Sequence, residues 1–228
     1  MARIVVPGWD LASSEAAIAL CARHPDWMVP AVGIHPHHAA EATEGDWARL
    51  EALAAEPAVR AIGEIGLDHY RMLSPLEVQD AAFERQLELA ARVGKPVLVH
   101  DRDAHEAVTA ALVAWEGPSR SLRGVLHCFS GDRAMAEQLV AADYLVSFAL
   151  PVAFRSAEGQ RAAAAALPLD ALLVETDAPW LGPGPDRRNE PVTALRVAAE
   201  IARLRAADIG DLVRAVAANL ARLLDDPV

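Results

Sequence analysis

One pattern constrains this chain more than any other: short apolar runs that stop on a polar residue, each followed by a helical stretch. Val59 to Ile62 leads to Glu64 between two glycines, Val97-Leu-Val ends on His100, and Gly124-Val-Leu ends on His127. Leu172-Leu-Val leads through Glu175 and Thr176 to Asp177. Runs rich in Ala, Val, Ile and Leu read as strands covered on both faces, as in a parallel sheet. A carboxylate or imidazole closing such a strand is costly unless something pairs with it or binds it. Four such ends, each separated by a helical stretch, imply one shared site.

The same alternation runs through the whole chain. Arg3 to Gly8 reads as a strand before a helix from about Ser13 to Arg23. Met28 to Pro36 reads as a strand ending on His35, with a helix over Asp46 to Glu56. Ser74-Pro75-Leu76-Glu77 has the signature of a helix start, with serine as the cap and proline at the first position. Leu76, Phe83, Leu87 and Ala90 share one face of that helix, and Gly94 ends it. Helices near Ala104 to Trp115, Asp132 to Ala141 and Ala157 to Ala166 separate strands ending at His127, at Ala149 (from Tyr144) and at Asp177. A Pro-, Gly- and Arg-rich loop over Pro179 to Pro191 precedes two last helices, Val192 to Arg205 and Ile209 to Leu224.

Seven strand-then-helix units predict an α/β fold with right-handed crossovers. Polar strand ends point to a TIM-type (β/α) barrel, whose active sites lie at the C-terminal mouth. An open doubly wound sheet is disfavoured because no glycine-rich phosphate loop follows the first strand. At 228 residues, with no linker or low-complexity segment, the chain is expected to be a single domain over 1–228.

The net charge of −11 argues against a protein that holds nucleic acid through a broad basic face. It leaves room for an enzyme that meets phosphates through bound cations, which invert the local sign. Cys21 and Cys128 are too few for a disulfide framework. No apolar run is long enough to span a membrane and no signal-peptide pattern stands at the start. The expected location is the cytoplasm, with no membrane partner.

Glu64, His100, His127 and Asp177 form a donor set that suits Zn²⁺, Mn²⁺ or Mg²⁺ in a hydrolytic site. One strand-end histidine alone is more often a hydrogen-bonded core residue; four polar ends together favour a metal. His35 faces the same mouth and is a substrate-contact candidate. His37 and His38 are expected to be solvated, and His24 and His105 to lie at the surface. His69 fits either reading, and Cys128 reads as a buried thiol. Asp68, Tyr70, Arg71, Asp101, Arg102 and Asp103 could cap helices and pair at the surface, or orient a phosphate, since the arginine fork matches its oxygens. Arg187 and Arg188 add positive charge to the last loop. Trp180 could stack on a base or plug the rim.

Gly33-Ile-His-Pro36, Gly63-Glu-Ile-Gly-Leu-Asp68, Pro96 to Ala104, His127-Cys-Phe-Ser-Gly131 and Glu175-Thr-Asp-Ala-Pro-Trp-Leu181 resemble the TatD family of metal-dependent deoxyribonucleases. Arg188-Asn-Glu-Pro191 and the helix containing Asn219 are similar to it as well, so the resemblance covers essentially the whole chain. It implies a metallo-dependent hydrolase barrel with two divalent ions acting on DNA, single strands or 3′ ends, commonly as a 3′–5′ exonuclease. It further implies that Glu64 bridges the ions, that His100 and His127 hold one, and that Asp177 holds the other and serves as general base. Such a pair lowers the pKa of the attacking water and stabilises both oxygens of the displacement.

The family opens with a strand ending in a His-any-His pair, and no counterpart stands near Arg3. About one βα unit, roughly 20 to 30 residues, is therefore expected to be absent, through a late start or as a natural seven-strand form. The Glu64, His100 and His127 site should survive, the site needing the absent pair should be weak or empty, and nuclease activity should be impaired. The chain is expected to be a monomer or to self-associate through open barrel edges. Two other functions compete: a metal-dependent hydrolase of small amides or esters, and a non-catalytic binding remnant.

Overall fold

The computed structural model describes residues 3–118, 120–182 and 188–225; Arg187, expected to charge the last loop, lies outside them. Among the described residues, seven strands follow one another in chain order and alternate with helices. This is the TIM-type (β/α) class expected from the sequence, with its seven βα units. The chain forms two compact units, Met1–Val125 and Leu126–Val228.

In the first unit, β1 (Ile4–Pro7), β2 (Met28–Val32), β3 (Ala61–Asp68) and β4 (Val97–Arg102) pair in parallel, each with the next. Helices α1 (Leu11–Ala22), α2 (Glu44–Ala55), α3 (Leu76–Val93) and α4 (His105–Ala114) follow them in turn. Ala31, Val32, Ile62, Ile65, Val97 and Val99 are fully buried in these strands. A buried Val or Ile contributes about 1.5–3 kcal/mol, so this apolar centre holds the unit together.

The sequence places Glu64 just past the end of its strand. The structure instead runs β3 through Glu64 to Asp68, and β4 through His100 to Arg102. A register shift between Ile62 and Ile65 lets the strand continue past Glu64. Two glycines permit the close approach of β4. A Cβ on Gly63 would stand 2.5 Å from Leu98 Cβ, and one on Gly66, where φ is +135°, would collide with the His100 carbonyl. Glu64 and His100 thus sit on adjacent strands because Gly63 and Gly66, on either side of Glu64 and Ile65, have no side chains.

The start of α3 also differs from the expectation. Ser74 does not cap it; its hydroxyl donates to His37 O at 3.2 Å and accepts from Ala40 N at 3.0 Å. Gln79 accepts from Asp68 N at 2.8 Å and donates to Asp68 O at 3.1 Å and Ser74 O at 2.8 Å. Phe83, Leu87 and Ala90 are buried on α3, whereas Leu76 is exposed because it opens the helix. Gly94 takes the left-handed conformation that ends the helix, as expected.

The second unit takes over within β5 (Gly124–Leu126) and continues with α5 (Arg133–Ala141), β6 (Tyr144–Phe148), α6 (Glu158–Ala166), β7 (Leu172–Val174), α7 (Ala194–Arg205) and α8 (Ile209–Leu223). Strands β6 and β7 pair in parallel from Val146 and Leu172 to Phe148 and Val174. Asn219 on α8 donates to Leu169 O and Leu172 O, both at 2.8 Å, which fixes the entry to β7. Asp177 lies in the loop after β7, since the strand stops at Val174.

Candidate metal centre

In the first unit, β3 brings Glu64 beside His100 of β4, with His100 Nδ1 3.0 Å from Glu64 Oε1. The loop after β2 adds His35, whose Nε2 lies 3.4 Å from the same oxygen. One ligand atom from each of His35, Glu64 and His100 can be chosen so that all lie within 4.8 Å of one another, a spacing that can hold a metal ion. His35 is buried, and Glu64 and His100 are half-buried.

Behind these three stands Asp68, 2% exposed at the end of β3. Its Oδ2 meets His100 Nε2 at 3.2 Å and His37 Nε2 at 2.7 Å. Its Oδ1 accepts from the backbone N–H groups of Tyr70 at 3.0 Å and Arg71 at 2.6 Å. Burial pushes the Asp68 carboxyl up, but hydrogen bonds from His100, the Arg71 N–H and His37 together outweigh it and hold the group well below the usual carboxylate range. Asp68 is therefore ionised and accepts a hydrogen bond from His100 Nε2–H, which leaves the Nδ1 lone pair facing Glu64. A carboxylate behind a histidine in this way orients it for a metal and raises its basicity.

Proton placement on His35 differs. The His37 backbone N–H donates to His35 Nδ1 at 3.1 Å, so the neutral ring carries its proton on Nε2, toward Glu64. Burial outweighs the pull of Glu64 and lowers the His35 pKa to about 4, which keeps the ring neutral. His35 thus offers the centre an N–H donor. Glu64 and His100 offer a carboxylate and an imidazole lone pair, a set that fits Zn²⁺ or Mn²⁺ and tolerates Mg²⁺.

The second unit holds another group. His127, just past β5, has its Nδ1 3.2 Å from Glu175 Oε1, and the same oxygen accepts from Cys128 N at 2.9 Å. Asp177 is half-buried, at φ +58°, and its carbonyl accepts from Trp180 N at 2.7 Å. Asn189 donates to the Thr176 carbonyl and bridges to Pro179 O at 3.0 Å, which holds the loop around Asp177.

Other expected residues fall in different settings. Arg71 is exposed, and Arg102 is exposed with its guanidinium 4.6 Å from the Tyr70 ring centre. Trp180 is 70% exposed, so it plugs no rim. His37, expected in solvent, is half-buried on Asp68; the two-residue step from His35 was its signal in the sequence. His38 pairs with Glu41 at 2.9 Å. His105 is held by Asp101 at 2.7 Å, because Asp101 closes the turn before α4. The Cys128 thiol is half-buried, since the residue turns at φ +44° out of the strand geometry that would have hidden it.

Two residues that sequence reasoning passes over support the centre from α3. Gln86 accepts from Ile34 N at 2.7 Å and donates to Ile34 O at 3.0 Å, fixing the backbone beside His35. Gln79 does the same for Asp68. Their signal is a polar pair seven residues apart on the face that buries Phe83 and Leu87.

A family model described as TatD related DNase matches residues 1–225. The chain is 37% identical over 229 residues to a protein of Erwinia tasmaniensis named 3'-5' ssDNA/RNA exonuclease TatD, covering 97% of this chain and 88% of that protein. It is 36% identical over 223 residues to the uncharacterized metal-dependent hydrolase YabD of Bacillus subtilis, covering 97% of this chain and 86% of the relative. Among solved structures, that of YJJV, a TatD homolog from Escherichia coli K12, matches with a TM-score of 0.90 and 29% identity over 100% of this chain and 88% of that chain.

Proposed function

Because the chain belongs to the TatD-related DNase family and is a metal-dependent hydrolase, we propose that it cleaves phosphodiester bonds of single-stranded nucleic acid, DNA first, from the 3′ end. A relative at 37% identity carries the name of such an exonuclease. The observation that carries the reading is the chain of contacts from Asp68 through His100 to Glu64. It fixes one imidazole lone pair and one carboxylate oxygen toward a common point, two of the protein ligands that a divalent ion in a hydrolytic site takes.

In this reading Glu64 and His100 hold a divalent ion, Mg²⁺, Mn²⁺ or Zn²⁺, which when bound lowers the pKa of water and neutralises developing phosphate charge. His127 is a metal ligand, as its motif implies, and Glu175 fixes its imidazole by bonding Nδ1. Asp177 belongs to a second metal position and takes the proton from the attacking water. His35 keeps its Nε2 proton and donates it as a hydrogen bond to a non-bridging phosphate oxygen, replacing its present contact with Glu64. Arg71 and Arg102, both exposed, meet flanking phosphates, and Trp180 stacks on a base. Residues 1–228 work as one catalytic domain.

A substrate panel tests this proposal. The chain, loaded with Mn²⁺, Mg²⁺ or Zn²⁺, is offered single-stranded DNA, single-stranded RNA, duplex DNA, a cyclic amide and a lactone. Turnover confined to the nucleic acids, with single strands preferred, is expected. Turnover of only the amide or the lactone overturns it.

A further inference from the structure

Downstream of β3 the chain exposes an apolar group that the metal centre does not use: Tyr70 at 60%, Met72 at 46% and Leu73 at 62%. Tyr70 is exposed but not loosely held. Its backbone N–H is fixed on Asp68 Oδ1 at 3.0 Å, and the Arg102 guanidinium lies over the ring at 4.6 Å. Arg102 is set in turn by the strand pairing of Asp68 with Arg102 and by the His69 N–H on its carbonyl at 2.8 Å. One carboxylate therefore links the Tyr70 backbone to the centre: Asp68 holds the Tyr70 N–H through Oδ1 and His100 through Oδ2.

We propose that Tyr70, backed by Arg102, is a stacking platform for one nucleobase of the bound strand. An exposed tyrosine with a cation over one ring face has its other face to offer a flat, π-rich ligand. The exposed guanidinium beside it offers the adjoining phosphate a partner in a protein whose overall charge of −11 repels nucleic acid. Stacking tolerates any sequence, because every base has a π-face, and duplex DNA, whose bases are already stacked, gains nothing from it. The platform thus deepens the nuclease reading and rests on it: it makes single strands the preferred substrate.

The test separates the two. Binding of a single-stranded DNA carrying the fluorescent base 2-aminopurine is measured with metal chelated, so that no cleavage occurs. The same oligomer with abasic residues is compared by competition. The parent chain should quench the fluorescence. Tyr70→Leu should lose the quenching and bind about ten-fold more weakly, Tyr70→Phe should restore both, and the abasic competitor should bind parent and Tyr70→Leu alike. With Mn²⁺ added, Tyr70→Leu should raise KM for the base-bearing strand by a similar factor and leave kcat within about two-fold. Unchanged binding in Tyr70→Leu, no rescue by Tyr70→Phe, or equal losses on both oligomers would overturn the platform whether or not the chain cuts. Failure of the parent to cut any nucleic acid overturns the nuclease reading and leaves the binding result to decide the platform.

Discussion

Asp68 ties four groups to one carboxylate: the rings of His37 and His100 and the backbone N–H groups of Tyr70 and Arg71. Its charge sets the tautomer of His100, so Asp68→Asn should lower Mn²⁺ affinity about 10–100-fold, measured by calorimetry, even though Asp68 is not taken as a ligand. Unchanged affinity would mean that Glu64 orients His100 unaided. At this scale Glu64 and His100 are legible in the sequence, because a polar residue closing a buried run must find a partner. The proton on His35 is not. It depends on the His37 N–H meeting Nδ1, a local turn that no spacing encodes. Glu175 is hidden for a related reason: its bond to His127 spans 48 residues of chain.

At the scale of elements, the centre depends on α3 as much as on the strands that carry it. Gln86 is 1% exposed and satisfies both backbone groups of Ile34. Gln86→Leu would leave a buried N–H and C=O unpaired, and should cost about 2–4 kcal/mol of stability in denaturant unfolding. A loss below about 0.5 kcal/mol would show that water replaces the amide. A second fixed point joins α6 to α7. Glu200 bonds Arg203 at 2.7 and 2.9 Å and Arg161 at 2.7 Å. The Arg203 hydrogen bond, opposed by burial and aided by Arg161, lowers its pKa from 4.5 to about 2. Because the folded pKa is depressed, this stabilisation is complete above about pH 4.5 and fades as pH falls toward 2. Glu200→Gln should be less stable than the parent by about 1 kcal/mol at pH 7, a figure discounted for solvent around Arg203, with the gap closing near pH 2. A gap that persists in acid would assign the loss to packing. The order of strands and helices is readable from periodicity alone. The path of β3 through Glu64 is not, since it needs the register shift that two glycines allow only once β4 is beside them.

For the whole molecule, the seven strands in chain order among the described residues follow from pattern and the net charge of −11 from composition, and the fold is the barrel class that alternation implies. The division into Met1–Val125 and Leu126–Val228 has no marker in the sequence, because it falls inside a strand and no linker interrupts the chain there. An acidic chain that acts on an anionic polymer needs a cation where the bond breaks. The most direct measurement is cleavage of a 3′-labelled single-stranded DNA by metal-stripped protein before and after Mn²⁺ is restored, with Glu64→Gln alongside. No cleavage is expected without metal, with recovery on Mn²⁺ and a rate at least about 100-fold lower in Glu64→Gln at the same Mn²⁺ concentration. Cleavage that survives metal removal, or a Glu64→Gln chain that cuts like the parent, would contradict it.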